Sequence, residues 1–343
     1  MLKVALITPA RRGSHAGNRT TATRWAGLLH DLGCRVRVAQ SDGDADGCRL
    51  DGQPPDLVLA LHAVRSHAAI RACRAAFPAC PLVVVLTGTD VYRFQHSDPE
   101  AFLDSLAASD ALIGLHDCLA EDLPPCCLSR LHVVHQSALP LPPRAQGPIR
   151  RRFEVLVAGH LREEKDSLRA ALAVRELPST SRLCVVQLGG AHRPEWAEAA
   201  REEMACNARY RWLGDLPRWR VRQWMARARL MVISSRMEGG ANVVSEACVA
   251  GLPVVASDIP GNRGLLGDDY AGYFPVDDTA ALRALLCRAE AEPAFVDRLR
   301  QQVLARAPLF SPAAEREALA RVIAACGLTA LPRPLTRGAG GRS

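Results

Sequence analysis

The sequence predicts an α/β protein made of two doubly wound parallel-sheet domains in tandem. Three observations predict it. Short apolar runs alternate with amphipathic stretches along most of the chain, a proline- and arginine-rich segment interrupts them near the middle, and the alternation then restarts. A length of 343 residues fits two such units at roughly 150 residues each.

Residues 3–8 (KVALIT) form the first buried strand, and a glycine-containing loop leads to an amphipathic stretch at 19–32. Gly33 closes that stretch, as a helix end requires. Apolar runs at 35–39, 57–60, 82–86, 111–113 and 131–134 read as strands covered on both faces, because such strands are continuously apolar. Helical patterns at 66–76, 99–108 and 116–122 lie between most of them. From 136 to 152, four prolines and four arginines cluster without periodicity, the composition of a linker. Strands follow near 153–158, 182–188, 230–233 and 253–256, with helices between them and further helices at 279–290, 293–306 and 312–326. The expected division is 1–148, 149–327 with its terminal helices, and a disordered tail at 328–343 rich in Gly, Arg and Pro. Such domains are expected to bind ligands at the carboxyl ends of their strands, in a cleft between the two sheets.

Composition removes several functions. The longest apolar run, 57–63, is interrupted by His62, and nothing approaches the roughly 18–20 residues of a membrane span. Residues 1–10 carry a single lysine and run directly into a strand, unlike a signal peptide. Twelve cysteines are scattered without a C-x-x-C pair, which fits a reducing, cytoplasmic setting and argues against zinc. A net charge of +7 favours anionic partners. Of the 43 basic residues 41 are arginine, so a lysine at position 165 stands out. Trp25, Trp196, Trp212, Trp219 and Trp224 lie at helical, half-buried spacings with no nucleic-acid motif beside them, so no nucleic-acid partner is expected. The run DGDADG at 42–47 imitates a calcium loop, but Gln53 stands at its twelfth position, and it reads as a solvated turn. His132 and His135 are poorly spaced for one metal on a strand, where neighbours alternate faces.

The most informative segment is SSRMEGGANVVSEA at 234–247. Gly239 and Gly240 let backbone N–H groups approach a ligand, and a helix beginning near Ala241 and Asn242 favours phosphate. Glu238 precedes that helix and Glu246 lies within it. Carboxylates flanking an anion-binding helix start suit a nucleotide sugar: one for the sugar hydroxyls, one for the ribose, with the backbone holding the diphosphate. A second segment, AGHLREEKD at 158–166, carries His160, Arg162 and Lys165.

Glu238 to Glu246 resembles the E-x7-E signature of the retaining family-4-like glycosyltransferases of GT-B architecture, two Rossmann-like domains facing across a cleft. The resemblance implies a nucleotide-sugar donor held by the C-terminal domain, an acceptor held by the N-terminal one, and neither metal nor cofactor. By the same resemblance Glu238 sits by the donor sugar and Glu246 bonds the ribose. AGHLREEKD is similar to the family's G-R-L-x-x-x-K loop, whose cations neutralise the leaving diphosphate. Lys165 matches it, His160 stands where the family has arginine, and either His160 or Arg162 supplies the second positive donor.

On the acceptor side, TPARRGSHAGNRTT at 8–21 contributes Gly17, Asn18, Arg19 and Thr20, a cradle for a small anion at a helix start. LHAVRS at 61–66 adds His62 and Arg65, and TGTDVYR at 87–93 adds Thr87, Thr89 and Asp90. With HQSA at 135–138, these blocks are similar to the selenosugar synthases of selenoneine biosynthesis. That resemblance implies the reaction of selenophosphate with a UDP-sugar, typically UDP-N-acetylglucosamine, to a 1-selenosugar, UDP and phosphate. It places a selenophosphate synthetase and a selenoneine synthase beside it in the reaction sequence. Glu238 and Lys165 are expected at the chemistry, joined by His62 from its place at a strand end three residues before Arg65. The helix from Arg19 offers only Trp25 to a membrane surface, so no stable membrane association is expected. Two alternatives stand beside it: a retaining transferase with a hydroxyl acceptor, and a non-catalytic nucleotide-sugar binding protein.

Overall fold

The computed structural model describes residues 1–11, 13, 17–41, 45–141 and 152–330. Two compact units divide them. One comprises Met1–Gly114, Pro124–Val134 and the chain from Arg316; the other comprises Leu115–Leu123 and His135–Glu315.

The first unit is built on β1 (Lys3–Thr8), α1 (Gly17–Asp31), β2 (Arg35–Gln40), β3 (Leu57–Leu61), α2 (His67–Ala76), β4 (Leu82–Val85), α3 (Gln95–Ser97), α4 (Pro99–Ala107), β5 (Ala111–Gly114) and β6 (Leu131–Val133). Its sheet is parallel throughout, in the order β2-β1-β3-β4-β5-β6. The continuous apolar runs of β3, β4 and β5 are buried along their whole length, as strands covered on both faces must be. Gly33, at φ +78°, ends the turn after α1, and Trp25 on that helix is wholly buried.

The second unit follows with β7 (Phe153–Ala158), α5 (Arg169–Val174), β8 (Leu183–Leu188), α6 (Pro194–Cys206), β9 (Tyr210–Trp212), α7 (Arg218–Arg227), β10 (Leu230–Ile233), α8 (Asn242–Ala250), β11 (Val254–Ser257), α9 (Pro260–Leu266), β12 (Tyr273–Phe274), α10 (Thr279–Ala291), α11 (Pro293–Arg306) and the start of α12 (Pro312–Ala325). Its parallel sheet runs β12-β11-β10-β7-β8-β9. In each sheet the order reverses beside the first strand of the unit, between β1 and β3 and between β7 and β10. The loops leaving those strands border the crevice where doubly wound sheets take ligands.

The elements differ from the expected ones in places. The helix expected at 116–122 is a 3-10 turn, Asp117–Asp122. The two units are discontinuous in sequence, with Leu115–Leu123 in the second and the chain from Arg316 in the first. The edge strands β9 and β12, three and two residues long, are too short to show as apolar runs. Leu328, the first residue of the expected tail, still bonds back to Ile323. Residues 331–343, most of the expected linker and Asp42 to Asp44 of DGDADG lie outside the described residues. No described helix is long and apolar enough to cross a membrane.

Candidate functional site

In the second unit, the loops after β7 and β10 meet. Asp166, at φ +42°, ends the 3-10 turn Glu163–Lys165, and the Lys165 ammonium pairs with Oε1 of Glu238. Ser235 Oγ donates to the same oxygen at 2.5 Å. Glu238 is 7% exposed, so its carboxylate depends on these two partners in place of water. The loops are also joined by bonds to the backbone of 164–166: Arg236 N–H donates to Glu164 C=O at 2.9 Å, and the Ser234 side-chain Oγ donates to Asp166 C=O at 2.9 Å. Arg169 bonds Asp166 at 2.6 Å and Asp277 at 2.9 Å, and Asp277 also accepts from Arg236 at 3.0 Å. The Arg236 hydrogen bond holds the Asp277 carboxyl below its ordinary range.

Glycines make this packing possible. A Cβ on Gly261 of α9 would lie 2.1 Å from Glu238 C=O, and one on Gly240 would lie 2.5 Å from Leu115 Cβ. Gly239 is buried, and Ala241 leads into α8, whose first turn from Asn242 has no side-chain cap. Its amide groups are therefore placed to meet an anion. Glu246, one turn further, is paired with Arg218 of α7 at 3.1 Å.

Of the remaining residues expected on this side, Arg162 lies 3.9 Å from Glu164 within its own loop. The His160 ring faces that of His192 at 5.5 Å. Neither is paired with Glu238, whose partners are Lys165 and Ser235. Sequence reasoning missed Ser235, Arg218 and His192. Arg218 stands 28 positions before Glu246, a separation with no local signal.

Beside Gly240 and Gly264, the segment after β5 carries a further polar group. His135 Nε2 lies 2.9 Å from Asp117, which also accepts from Arg306 at 2.7 Å. Burial alone would raise Asp117, but these hydrogen bonds outweigh it and bring it down to about 2. His116 is wholly buried, and burial lowers its imidazole to about 4 against the raising influence of Asp117. An unfolded histidine titrates near 6.5. As pH falls from there toward 4, the unfolded chain takes up a proton that the folded chain refuses, so stability is lost in that window and retained above it. His116 is expected to cost about 3 kcal/mol between pH 7 and 4. Urea unfolding of wild type and His116→Gln at pH 7 and 4.5 checks this; equal pH dependence in the two proteins would refute it.

In the first unit, the expected acceptor residues sit at the ends of β1, β3 and β4. Gly17, Asn18, Arg19 and Thr20 form the first turn of α1, all at least partly exposed. Arg65 is exposed, its guanidinium 5.6 Å from the Phe94 ring centre.

Two of the expected residues, His62 and Asp90, lie beneath the surface. His62 is only 1% exposed and adopts φ +73°, an uncommon conformation for a side chain of its size. Its Nδ1 accepts from Arg65 N–H at 3.1 Å, which assigns the proton to Nε2, 3.0 Å from Thr89 Oγ1. Burial lowers its pKa despite nearby Asp90, so the ring is neutral. Both ring nitrogens are thus engaged beneath the surface, one of them with Thr89. Asp90 is also wholly buried, and its carboxylate accepts from the N–H groups of Ala63, Thr87, Gly88 and Val91 at 2.7–3.2 Å. It organises both loops from below and leaves Thr87 and Thr89 partly exposed above it.

Among the described residues, no three His, Cys, Asp or Glu side chains gather as a metal site requires.

Residues 143–304 match the family of glycosyl transferases group 1. D-inositol 3-phosphate glycosyltransferase from Xylanimonas cellulosilytica is 32% identical over 191 residues, which cover 49% of this chain and 45% of that relative's length. Among solved structures, sucrose-phosphate synthase from Thermosynechococcus elongatus superposes with a TM-score of 0.77 at 17% identity, over 94% of this chain and 98% of that one. Anabaena HepE in complex with UDP and glucose gives a TM-score of 0.73 at 15% identity, over 94% and 100%. At these identities the likeness establishes the fold, two parallel-sheet α/β domains of GT-B type.

Proposed function

We propose, from the match of residues 143–304 to the family of glycosyl transferases group 1, that this protein is a glycosyltransferase using a UDP-sugar donor. The Lys165–Glu238 pair carries the reading, because it stands at the reversal point of the second sheet beside the uncapped start of α8. Lys165, α8 and either His160 or Arg162 are to meet the diphosphate charge without a metal. Glu238 serves the sugar hydroxyls and Glu246 the ribose once it leaves Arg218. Structures of HepE with UDP and with UDP-glucose support the donor class.

The acceptor in this proposal is selenophosphate and the sugar N-acetylglucosamine, in a reaction placed in the cytoplasm. Selenium attacks C1 of the sugar, the C1–O bond to the diphosphate breaks, and UDP departs. Water then cleaves the P–Se bond, giving a 1-selenosugar and phosphate. The N-terminal blocks support this acceptor, and Arg19 in an exposed helix start suits a small polyanion. Selenium is nucleophilic near neutral pH without an added base, which agrees with His62 having no free nitrogen.

Mass spectrometry of the protein incubated with UDP-N-acetylglucosamine and fresh selenophosphate, under reducing conditions with EDTA, tests the reading. A selenohexosamine formed together with UDP is expected. UDP release without a selenium product would overturn the acceptor and favour a hydroxyl one. No turnover of any nucleotide sugar would favour a binding protein. Arg19→Ala is expected to raise the selenophosphate KM about tenfold or more, with the donor KM nearly unchanged. An unchanged acceptor KM would remove that turn from the site.

A further inference from the structure

The proposed reaction leaves one pair of reactive groups without a role. Cys48 ends the three-residue turn Asp46–Cys48, ahead of β3, and Cys73 lies on α2. Their sulfurs are 3.3 Å apart, although the residues are 25 positions apart in the chain. Both are 1% exposed. A disulfide needs a separation of about 2.05 Å, so an approach of roughly 1.3 Å suffices, within reach of small rotations about the two Cα–Cβ bonds.

We propose that Cys48 and Cys73 form an oxidisable dithiol whose disulfide closes a covalent loop around β3 and the His62–Arg65 turn. The oxidant is a small-molecule disulfide. A thiolate of the pair attacks one of its sulfurs, forming a mixed disulfide and releasing one small thiol. The second cysteine, its proton lost to solvent, then attacks the protein-bound sulfur and releases the other small thiol. Two protein thiols are oxidised and one small disulfide is reduced to two thiols.

Burial delays this step without forbidding it. The turn carrying Cys48 is short, Asp46 within it is exposed, and it is held by the Cys48 N–H bond to Ala45 C=O at 3.0 Å and the Arg49–Asp46 ion pair at 2.8 Å. Local opening of so short a surface turn costs far less than unfolding the sheet, and it uncovers Cys48 first. The cross-link would hold the turn against α2, whose N-terminus follows the loop containing His62 and Arg65.

The full-length protein is to be equilibrated with oxidised and reduced glutathione, alkylated, and mapped by mass spectrometry without reduction. The expected result is a joined peptide pair containing Cys48 and Cys73, lighter by two hydrogens than the separate peptides. The melting temperature is expected to rise by roughly 5–10 °C on oxidation. Cys73→Ala should remove both the joined pair and the shift. Cys126 and Cys206 are exposed and report whether the oxidant was effective. Mixed disulfides at those two positions, with Cys48 and Cys73 still alkylated as thiols or joined to other cysteines, would overturn the proposal. The mapping uses no substrate, so its outcome is independent of the proposed transfer reaction.

Discussion

Lys165→Ala is expected to lower kcat/KM for UDP-sugar turnover by about 10²–10³-fold, the scale of losing one preorganised charged donor from a site that stabilises a leaving group. Lys165 sits on a loop whose carbonyls on either side, Glu164 and Asp166, are held by Arg236 N–H and Ser234 Oγ, so its position does not have to be found during reaction. In the resting protein its charge is matched by Glu238. Removing the ammonium alone therefore leaves a carboxylate that is 7% exposed with only Ser235 beside it, and the folded state is expected to weaken as well. The double variant Lys165→Met with Glu238→Gln separates the two effects. It should recover most of the melting temperature lost in Lys165→Ala, because no charge is left uncompensated, and it should remain inactive. Steady-state UDP release and thermal unfolding are the measurements. Turnover within twofold of wild type in Lys165→Ala would remove this lysine from the donor site.

Asp90→Ala is expected to destabilise the protein by about 3–4 kcal/mol, near the upper end for a single substitution. Its carboxylate serves the N–H groups of Ala63, Thr87, Gly88 and Val91, which belong to two different loops. An alanine would leave these donors buried with nothing to accept from them. Asp90→Asn is a milder change, since an amide oxygen can still accept while its NH2 group opposes the remaining donors, and its stability should fall between those of wild type and Asp90→Ala. Urea unfolding checks the series, and a loss below about 1 kcal/mol in Asp90→Ala would show that the carboxylate does not hold the loops. Because His62 is placed by the same loops, the acceptor KM should rise in Asp90→Asn even where the protein remains folded.

The alternation of strands and helices is legible because parallel strands are apolar along their whole length and many of the helices between them are bounded by glycine or proline. The terminal helices α10, α11 and α12 fall within a residue of the expected ranges for that reason. Glycine spacing likewise marks the loop before α8. Asp90 and His62 show the limit. Their places at strand ends put both among the candidate site residues, yet both lie under the loops they organise. Whether such a residue points up or down depends on which backbone and side-chain groups come within reach, and those groups are contributed by loops about 27 positions away. The 3-10 turn Asp117–Asp122 makes the same point, since six residues of mixed character are compatible with either helix type until packing against α9 selects one.

The sequence by itself determined the two parallel-sheet domains, the positions of most of their helices and the glycine loop with Glu238, Glu246 and Lys165 along it. Each of those properties is written in local composition and periodicity, which act over a few residues. Only the tertiary structure decided that Lys165 lies against Glu238, that Arg218 holds Glu246, and that Cys48 and Cys73 are neighbours. These pairings join residues 25 to 73 positions apart, and no local pattern encodes them. They arise where crossover connections return strands to one sheet and bring distant loops and helices together.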